Sequence, residues 1–94
     1  MSIKVSYASG TSDKPLLGMT IGEAFDRTVS LHADREAIIS IHQNMRLTYR
    51  QLSEQVNIAA KALMALGLQK GDRIGIWSPN NLEWLITQYA SAKI

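Results

Sequence analysis

The sequence predicts an α/β fold in which a helix, a β-hairpin, a βαβ crossover and a last helix follow one another. Three observations indicate this order. Two capping-box spacings begin at Thr20 and Thr48 and mark helix starts. An apolar face with helical period follows the second of them. Short β-rich runs stand before and after that long helix, and a strand–helix–strand order is typical of a parallel sheet.

The first helix is predicted over about 21–32. Residues 1–19 are rich in Ser, Gly, Thr, Asp and Pro without a sustained period, so we expect a flexible N-terminal arm there. Thr20 and Glu23 have the S/T-x-x-E spacing in which each side chain bonds a backbone N–H that the helix leaves free. The residues that then fall near helical spacing are Ile21, Ala24, Phe25, Thr28 and Leu31.

A β-hairpin is predicted next. Residues 37–42 form a β-rich run, 43–45 indicate a turn, and 46–48 indicate a short return strand. Thr48 and Gln51 then form the second capping box.

The long helix has the clearest pattern, and we predict it over about 49–66. Gly67 supplies the left-handed residue that commonly ends a helix, and Leu68 provides the apolar contact that often follows. The residues on its apolar face lie at steps of three and four: Leu52, Val56, Ala59, Ala60, Leu63 and Leu66.

The last part of the chain predicts a turn at 70–72, a strand at 73–77 and a further helix. Pro79 cannot serve a strand ladder, and Asn81 is a favourable N-cap. The helical stripe that follows contains Leu82, Leu85, Ile86, Tyr89 and Ala90. Because a parallel sheet usually needs more strands to cover both faces, we expect 20–94 to be the N-terminal portion of a larger domain, truncated at its C-terminal end.

Composition excludes several classes of protein. The 94 residues carry a formal net charge of +2 without a basic block, which argues against a nucleic-acid binder. The absence of cysteine removes disulfides, thiolate catalysis and cysteine-based metal sites. No apolar run has the length of a membrane span, and the first residues do not have the pattern of a signal peptide. We therefore expect a soluble, cytoplasmic protein.

Two loops resemble phosphate-binding sites at first sight. The loop at 8–14 contains Ser9, Gly10 and Thr11, but it lacks a second glycine and a preceding strand. The loop at 78–81 lies between a predicted strand and a helix, but it has neither glycine nor lysine. We interpret the first as part of the arm and the second as a strand exit followed by an N-cap.

Other polar and aromatic residues give no catalytic pattern. His32 lies at a predicted helix end and His42 beside the hairpin turn, and neither has a partner that sequence can assign. Trp84 lies off the apolar stripe of its helix, so it either faces a partner surface or the rest of a larger domain, or is partly buried within the same fold. The acidic residues without catalytic spacing are Asp26, Asp34, Glu36, Asp72 and Glu83. We therefore assign no catalytic, cofactor-binding or metal-binding residue.

Two blocks of the sequence, 47–52 and 67–84, resemble a known protein family. The run from Leu47 to Leu52 reads LTYRQL, and 67–84 reads GLQKGDRIGIWSPNNLEW. These blocks resemble the N-terminal region of the adenylate-forming enzymes, and the likeness covers about residues 16–94. Within that superfamily, 15–22 and 75–81 are most similar to medium- and long-chain fatty acid–CoA ligases.

The resemblance implies an AMP-forming ligase that uses ATP, Mg²⁺ and CoA. The phosphate loop, the aromatic-Thr-Glu motif, the ribose-binding Asp and the catalytic Lys of that superfamily match no position here, so no site residue is transferred. We expect this piece to be architectural, to have the remainder of the enzyme as its partner, and to be inactive and without cofactor alone. The alternatives are a stand-alone interaction or homodimerisation module and a fragment of an amino-acid or aryl-acid adenylating enzyme.

Overall fold

The computed structural model describes residues 6, 8 and 10–94. Its elements are α1 (Ile21–His32), β1 (Glu36–Ser40), β2 (Met45–Thr48), α2 (Tyr49–Ala65) and α3 (Leu82–Lys93). The predicted α/β class and the order of helix, hairpin, helix and helix are confirmed.

Both predicted capping boxes form and position the starts of α1 and α2. Thr20 Oγ1 accepts a hydrogen bond from the Glu23 N–H at 3.1 Å, and the Glu23 carboxylate accepts one from the Thr20 N–H at 3.2 Å. The same reciprocal pair joins Thr48 and Gln51 at 3.2 and 2.9 Å. Each box satisfies two backbone donors that a helix cannot satisfy internally, which explains why both helices begin at the predicted residues.

The end of α2 is also set by local chemistry. Gly67 has a φ of +95°, its N–H donates to the Met64 carbonyl at 3.0 Å, and the Leu68 N–H donates to the Leu63 carbonyl at 3.2 Å. This pair of bonds is a Schellman motif, for which glycine is favoured because it has no Cβ. The helix ends at Ala65, one residue earlier than predicted, with Leu66 as its C-cap.

The hairpin has a shorter first strand than predicted. β1 and β2 are antiparallel, with Ile39 opposite Arg46 and Ser40 opposite Met45. The turn occupies 41–44 rather than 43–45. Asn44, the last residue of the turn, has a φ of 52°, a conformation that asparagine tolerates better than most residues. The turn therefore begins two residues earlier than predicted, directly after β1.

Residues 73–77 do not form the predicted strand in the part of the chain that the structure describes. The predicted βαβ crossover and parallel sheet are therefore wrong for this part as well. The sheet contains only β1 and β2, and it is antiparallel. A strand requires backbone hydrogen bonds to a neighbour, and none of the residues that the structure describes places a third strand beside 73–77. The segment instead leaves Trp77 fully exposed between α2 and α3.

The core is built on the predicted apolar face of α2. Val56 is completely buried, and Leu52 is 3% exposed. The face contacts α1, α3 and both strands, whereas Leu66 at its end is exposed. The remaining members of the buried cluster are Phe25, Ala60, Leu82 and Ala90.

Fewer apolar residues of α1 are buried than its helical pattern predicts. Phe25 is buried and stacks on Tyr89 of α3 with ring centroids 4.8 Å apart, but Ile21 and Leu31 are exposed. A Cβ placed on Gly22 would lie 3.4 Å from the Lys93 Cγ and 3.5 Å from its Cα. This close approach brings one edge of α1 against the end of α3 and leaves Ile21 and Leu31 largely exposed. The predicted stripe of α3 does pack against the core.

None of the helices in the described part of the chain combines the length and apolar character needed to cross a bilayer.

Leu52→Ala should test the dependence of the fold on the face of α2. Removing this buried side chain leaves a cavity among α1, α3 and the hairpin, and we expect the free energy of unfolding to fall by about 2–5 kcal/mol. Urea unfolding followed by circular dichroism measures the change. Ile58→Ala on the exposed side of the same helix is the matched control and should alter stability by less than about 0.5 kcal/mol. Equal losses in the two variants would contradict this packing.

Candidate functional site

Lys93, at the end of α3, joins all three helices. Its Nζ lies 2.9 Å from Oδ1 of Asp26 on α1 and donates to Oδ1 of Asn57 on α2 at 2.6 Å. The ammonium group is also 5.8 Å from the centre of the Phe25 ring. The side chain is only 16% exposed. Since its charge is already matched by a carboxylate and an amide oxygen, this cluster is a structural tie between helices.

Gln43 makes a second tie, between the hairpin turn and the start of α3. Its Oε1 accepts hydrogen bonds from the Ser40 hydroxyl at 2.7 Å and from the Leu82 N–H at 2.9 Å. Its Nε2 donates to Oε2 of Glu83 at 2.9 Å. The bond from Gln43 is the main cause that lowers the pKa of Glu83; the backbone N–H of Glu83 and the charge of His42 act in the same direction.

The acidic residues considered for catalysis all have structural partners, which are different residues in each case. Besides Asp26 and Glu83, described above, the pairs are Asp34 with Arg50 at 2.7 Å, Glu36 with Arg46 at 3.2 Å, and Asp72 with the Gln69 N–H at 2.7 Å. Within the described ranges, no group of three or more His, Cys, Asp or Glu side chains could hold a metal ion.

The structure places the two histidines apart. The ring of His32 lies 6.5 Å from that of Tyr49, and His42 is exposed in the hairpin turn. Asn81 caps α3 as predicted, because its Oδ1 accepts the Trp84 N–H at 3.0 Å. Trp84 itself is partly exposed, in a groove between α3 and β1.

The loop at 8–14 is only partly described. Ser9 lies outside the described residues, whereas 10–14 are exposed and are followed by α1 without an intervening strand. The Lys14 N–H donates to the Ser12 hydroxyl at 3.2 Å. That this loop belongs to an arm rather than to a phosphate site stays a prediction.

Sequence reasoning missed both ties. Lys93 and Asn57 are 36 residues apart, and Gln43 and Glu83 are 40 residues apart. No periodicity or short motif links residues at such separations. The one available signal was the position of Lys93 in the last turn of a helix, where a basic residue interacts favourably with the helix dipole.

Residues 73–77 form an exposed connection between α2 and α3 without regular secondary structure, which we name the unpaired segment. It alternates Ile74 and Ile76 with smaller or polar residues and ends in Trp77. No backbone hydrogen bond within the described part of the chain involves it outside regular elements. A segment with unpaired backbone groups and exposed apolar side chains can pair with a neighbouring strand. Residues 73–77 can therefore serve as a docking edge.

Gln43→Ala should raise the pKa of Glu83 toward its ordinary value, because the main hydrogen bond to the carboxylate is lost. A ¹³C NMR titration of the Glu83 carboxyl measures this change. Since the folded-state pKa is lowered, the bond stabilises the fold fully above the unfolded pKa, and that stabilisation disappears as pH falls through the lowered value. Gln55→Ala, on the exposed side of α2, is the control. An unaltered titration in Gln43→Ala would contradict the assigned cause.

Comparison with known proteins places these features in a family. The model for "AMP-binding enzyme" matches residues 25–94. The chain is 44% identical over 89 residues to the mouse medium-chain acyl-CoA ligase ACSF2, mitochondrial, covering 95% of this chain and 14% of that protein. It is 40% identical over 79 residues to the putative acyl-CoA synthetase YngI of Bacillus subtilis, covering 84% of this chain and again 14% of the relative.

A solved structure gives the same result. The inhibitor-bound N-terminal domain of FACL13 from Mycobacterium tuberculosis superposes with a TM-score of 0.76 at 31% identity, covering 79% of this chain and 19% of that one. The chain therefore spans a small part of its relatives. The family match, the sequence identities and the shared fold agree, and the chain belongs to the AMP-binding enzyme family.

Proposed function

We propose that residues 20–94 are the N-terminal portion of the large domain of an AMP-forming fatty acid–CoA ligase. The observation that carries the proposal is the 44% identity, over nearly the whole chain, to a protein named as a medium-chain acyl-CoA ligase. Bacillus YngI, a putative acyl-CoA synthetase, supports the same class of activity.

The overall reaction of such a ligase has two steps. The substrate carboxylate attacks the α-phosphorus of ATP, and the bond to the bridging oxygen breaks with release of pyrophosphate. The thiolate of CoA then attacks the acyl carbon, and AMP leaves. Mg²⁺ offsets the phosphate charge in the first step.

The described residues do not fit a site for ATP, Mg²⁺ or CoA. Every carboxylate that the sequence analysis considered is held by a cation, an amide or a backbone N–H. Lys93 is committed to Asp26 and Asn57. We therefore assign no step of the reaction to residues of this chain and propose that its contribution is architectural.

The geometry favours such a role. The buried face of α2 and the two polar ties fix α3, and the unpaired segment lies in the connection between α2 and α3. In a protein of the relatives' length, a strand from the remainder could pair with 73–77 and satisfy its backbone. That arrangement would complete the parallel sheet that the sequence pattern predicts.

A second candidate, association between copies of the chain, is favoured by three exposed apolar side chains. Trp77 is fully exposed, and Ile41 and Leu66 are 88% and 78% exposed. Contiguous exposed apolar surface promotes association. Size-exclusion chromatography with light scattering separates the candidates: a monomer at high concentration excludes the dimer, whereas a dimer that survives dilution supports it.

A cytoplasmic location also stays a prediction. The mouse relative is named as mitochondrial, so fluorescence imaging of a tagged chain in its own cell decides between the two compartments.

The 94-residue chain alone should release no pyrophosphate above background from ATP and Mg²⁺ with a panel of fatty, aryl and amino acids. The reason is that Lys93 and the carboxylates considered in the sequence analysis are engaged in structural contacts. A coupled pyrophosphate assay measures the rate, with full-length mouse medium-chain acyl-CoA ligase as positive control. Turnover by the chain alone would overturn the architectural role.

A chimera tests the proposal in an active enzyme. Residues 20–94 replace the matching region of the mouse ligase, and we expect acyl-CoA formation from medium-chain acids within about tenfold of the parent, a barrier change of about 1.4 kcal/mol or less. Loss of activity in a chimera that folds would contradict equivalence of the two regions.

The same chimera tests the unpaired segment. Ile76→Asp should abolish activity or folding there, because a docked strand would bury the new charge without a partner. Ile76→Val is the conservative control and should remain active. In the isolated chain, where Ile76 is 36% exposed, Ile76→Asp should barely change stability. A fully active Ile76→Asp chimera would show that the segment does not dock.

A further inference from the structure

A groove between α1 and α3 stands open on the apolar side of α1. We name it the α1–α3 groove; it has a volume of about 410 Å³. The stacked rings of Phe25 and Tyr89 lie in its wall. The residues of α1 along it are Ile21, Ala24 and Thr28, and Leu85 faces them from α3. Phe25 belongs to the buried core, and Leu85 and Tyr89 pack on that core but are only half-buried.

The arm that precedes α1 carries an apolar pair without cover. Leu16 and Leu17 are 71% and 70% exposed, although they lie only three and four residues before the N-cap Thr20. Moving two leucine side chains out of water is favourable, and the groove offers an apolar surface beside the point where the arm joins the helix.

The arm is long enough to reach the groove. An extended chain spans about 3.3–3.6 Å per residue, so the two or three residues that remain after a reversal near Gly18 carry Leu16 back along α1 by about 7–10 Å. Along the helix, Ala24 and Thr28 lie about 6 Å and about 12 Å beyond Thr20 at 1.5 Å per residue. Gly18 lies between the leucines and the cap, where the chain must reverse, and a Cβ there would meet nothing within 4 Å.

Charge decides which side of α1 the arm can follow. The opposite side carries Glu23, which closes the capping box, and Asp26, which pairs with Lys93. Leucine side chains laid there would remove charged groups from water without replacing their hydrogen bonds. The α1–α3 groove imposes no such cost because aromatic and aliphatic side chains form most of its surface.

We propose that Leu16 and Leu17 form a strap that folds back along α1 and closes the α1–α3 groove. The exposed arm is the open state of this device, and the closed state packs the leucines on Phe25, Tyr89 and Leu85. Closure shields the half-buried side of the core and fixes the entry of the chain into α1.

Two measurements test the strap. In the unmodified chain, NMR should detect nuclear Overhauser effects from the Leu16 and Leu17 methyl groups to the ring protons of Phe25 and Tyr89. Because the chain has no cysteine, cysteine pairs can be introduced without interference from native thiols. Leu16→Cys with Thr28→Cys, which places one thiol in the groove, should form an intramolecular disulfide on mild oxidation.

The matched control pairs Leu16→Cys with Arg27→Cys, which lies on α1 at nearly the same separation but does not line the groove. We expect the Thr28 pair to close at least about tenfold faster, since disulfide formation requires Cα atoms within about 7 Å. Equal closure rates, or absence of the methyl–ring effects in the unmodified chain, would overturn the proposal. Disulfides that form only between chains would assign the groove to a second copy and would overturn it equally.

Discussion

The fold depends on one buried surface, the apolar face of α2. Leu52, Val56 and Ala60 project from a single helix and are covered from different directions by α1, by α3 and by the hairpin. α1 and α3 also contact each other through Phe25 and Tyr89, but the largest fully buried side chain, Val56, belongs to α2. A chain of 94 residues has little other core, so the packing of α2 decides the position of every other element.

The two polar ties then fix the orientation of α3, which apolar packing alone would constrain less tightly. Gln43 holds the first turn of the helix against the hairpin, and Lys93 holds the last turn against α1 and α2. The two ties act at opposite ends of the same helix and complete hydrogen-bonding groups that would otherwise need water. The donors and acceptors of Gln43 and Lys93 are therefore engaged in structural contacts.

The proposed function gives these structural features a purpose. A ligase has to hold its reactants in fixed geometry, and precise positioning relies on a rigid scaffold beneath the site. The described chain has properties that suit such a scaffold, namely capped helices and paired charges.

Local signals in the sequence were sufficient for the helices. The capping boxes at Thr20 and Thr48, the Schellman end at Gly67 and the cap at Asn81 all involve residues within five positions of one another, so short-range spacing identifies them. The acidic residues showed no catalytic spacing, and within the described residues the structure forms no group of three or more of them with His that could hold a metal ion. The family resemblance likewise followed from short blocks in a fixed order, and the comparisons confirm it.

Only the tertiary structure decided what depends on distant neighbours. The run at 73–77 has the composition of a strand, but a strand exists only beside a partner, and none of the described residues supplies one. Ile21 and Leu31 have helical spacing, but α1 meets α3 along one edge and leaves them exposed. Lys93 and Gln43 find their partners across 36 and 40 residues. A pattern records what a residue prefers locally, whereas burial and pairing depend on which surface the fold brings opposite it.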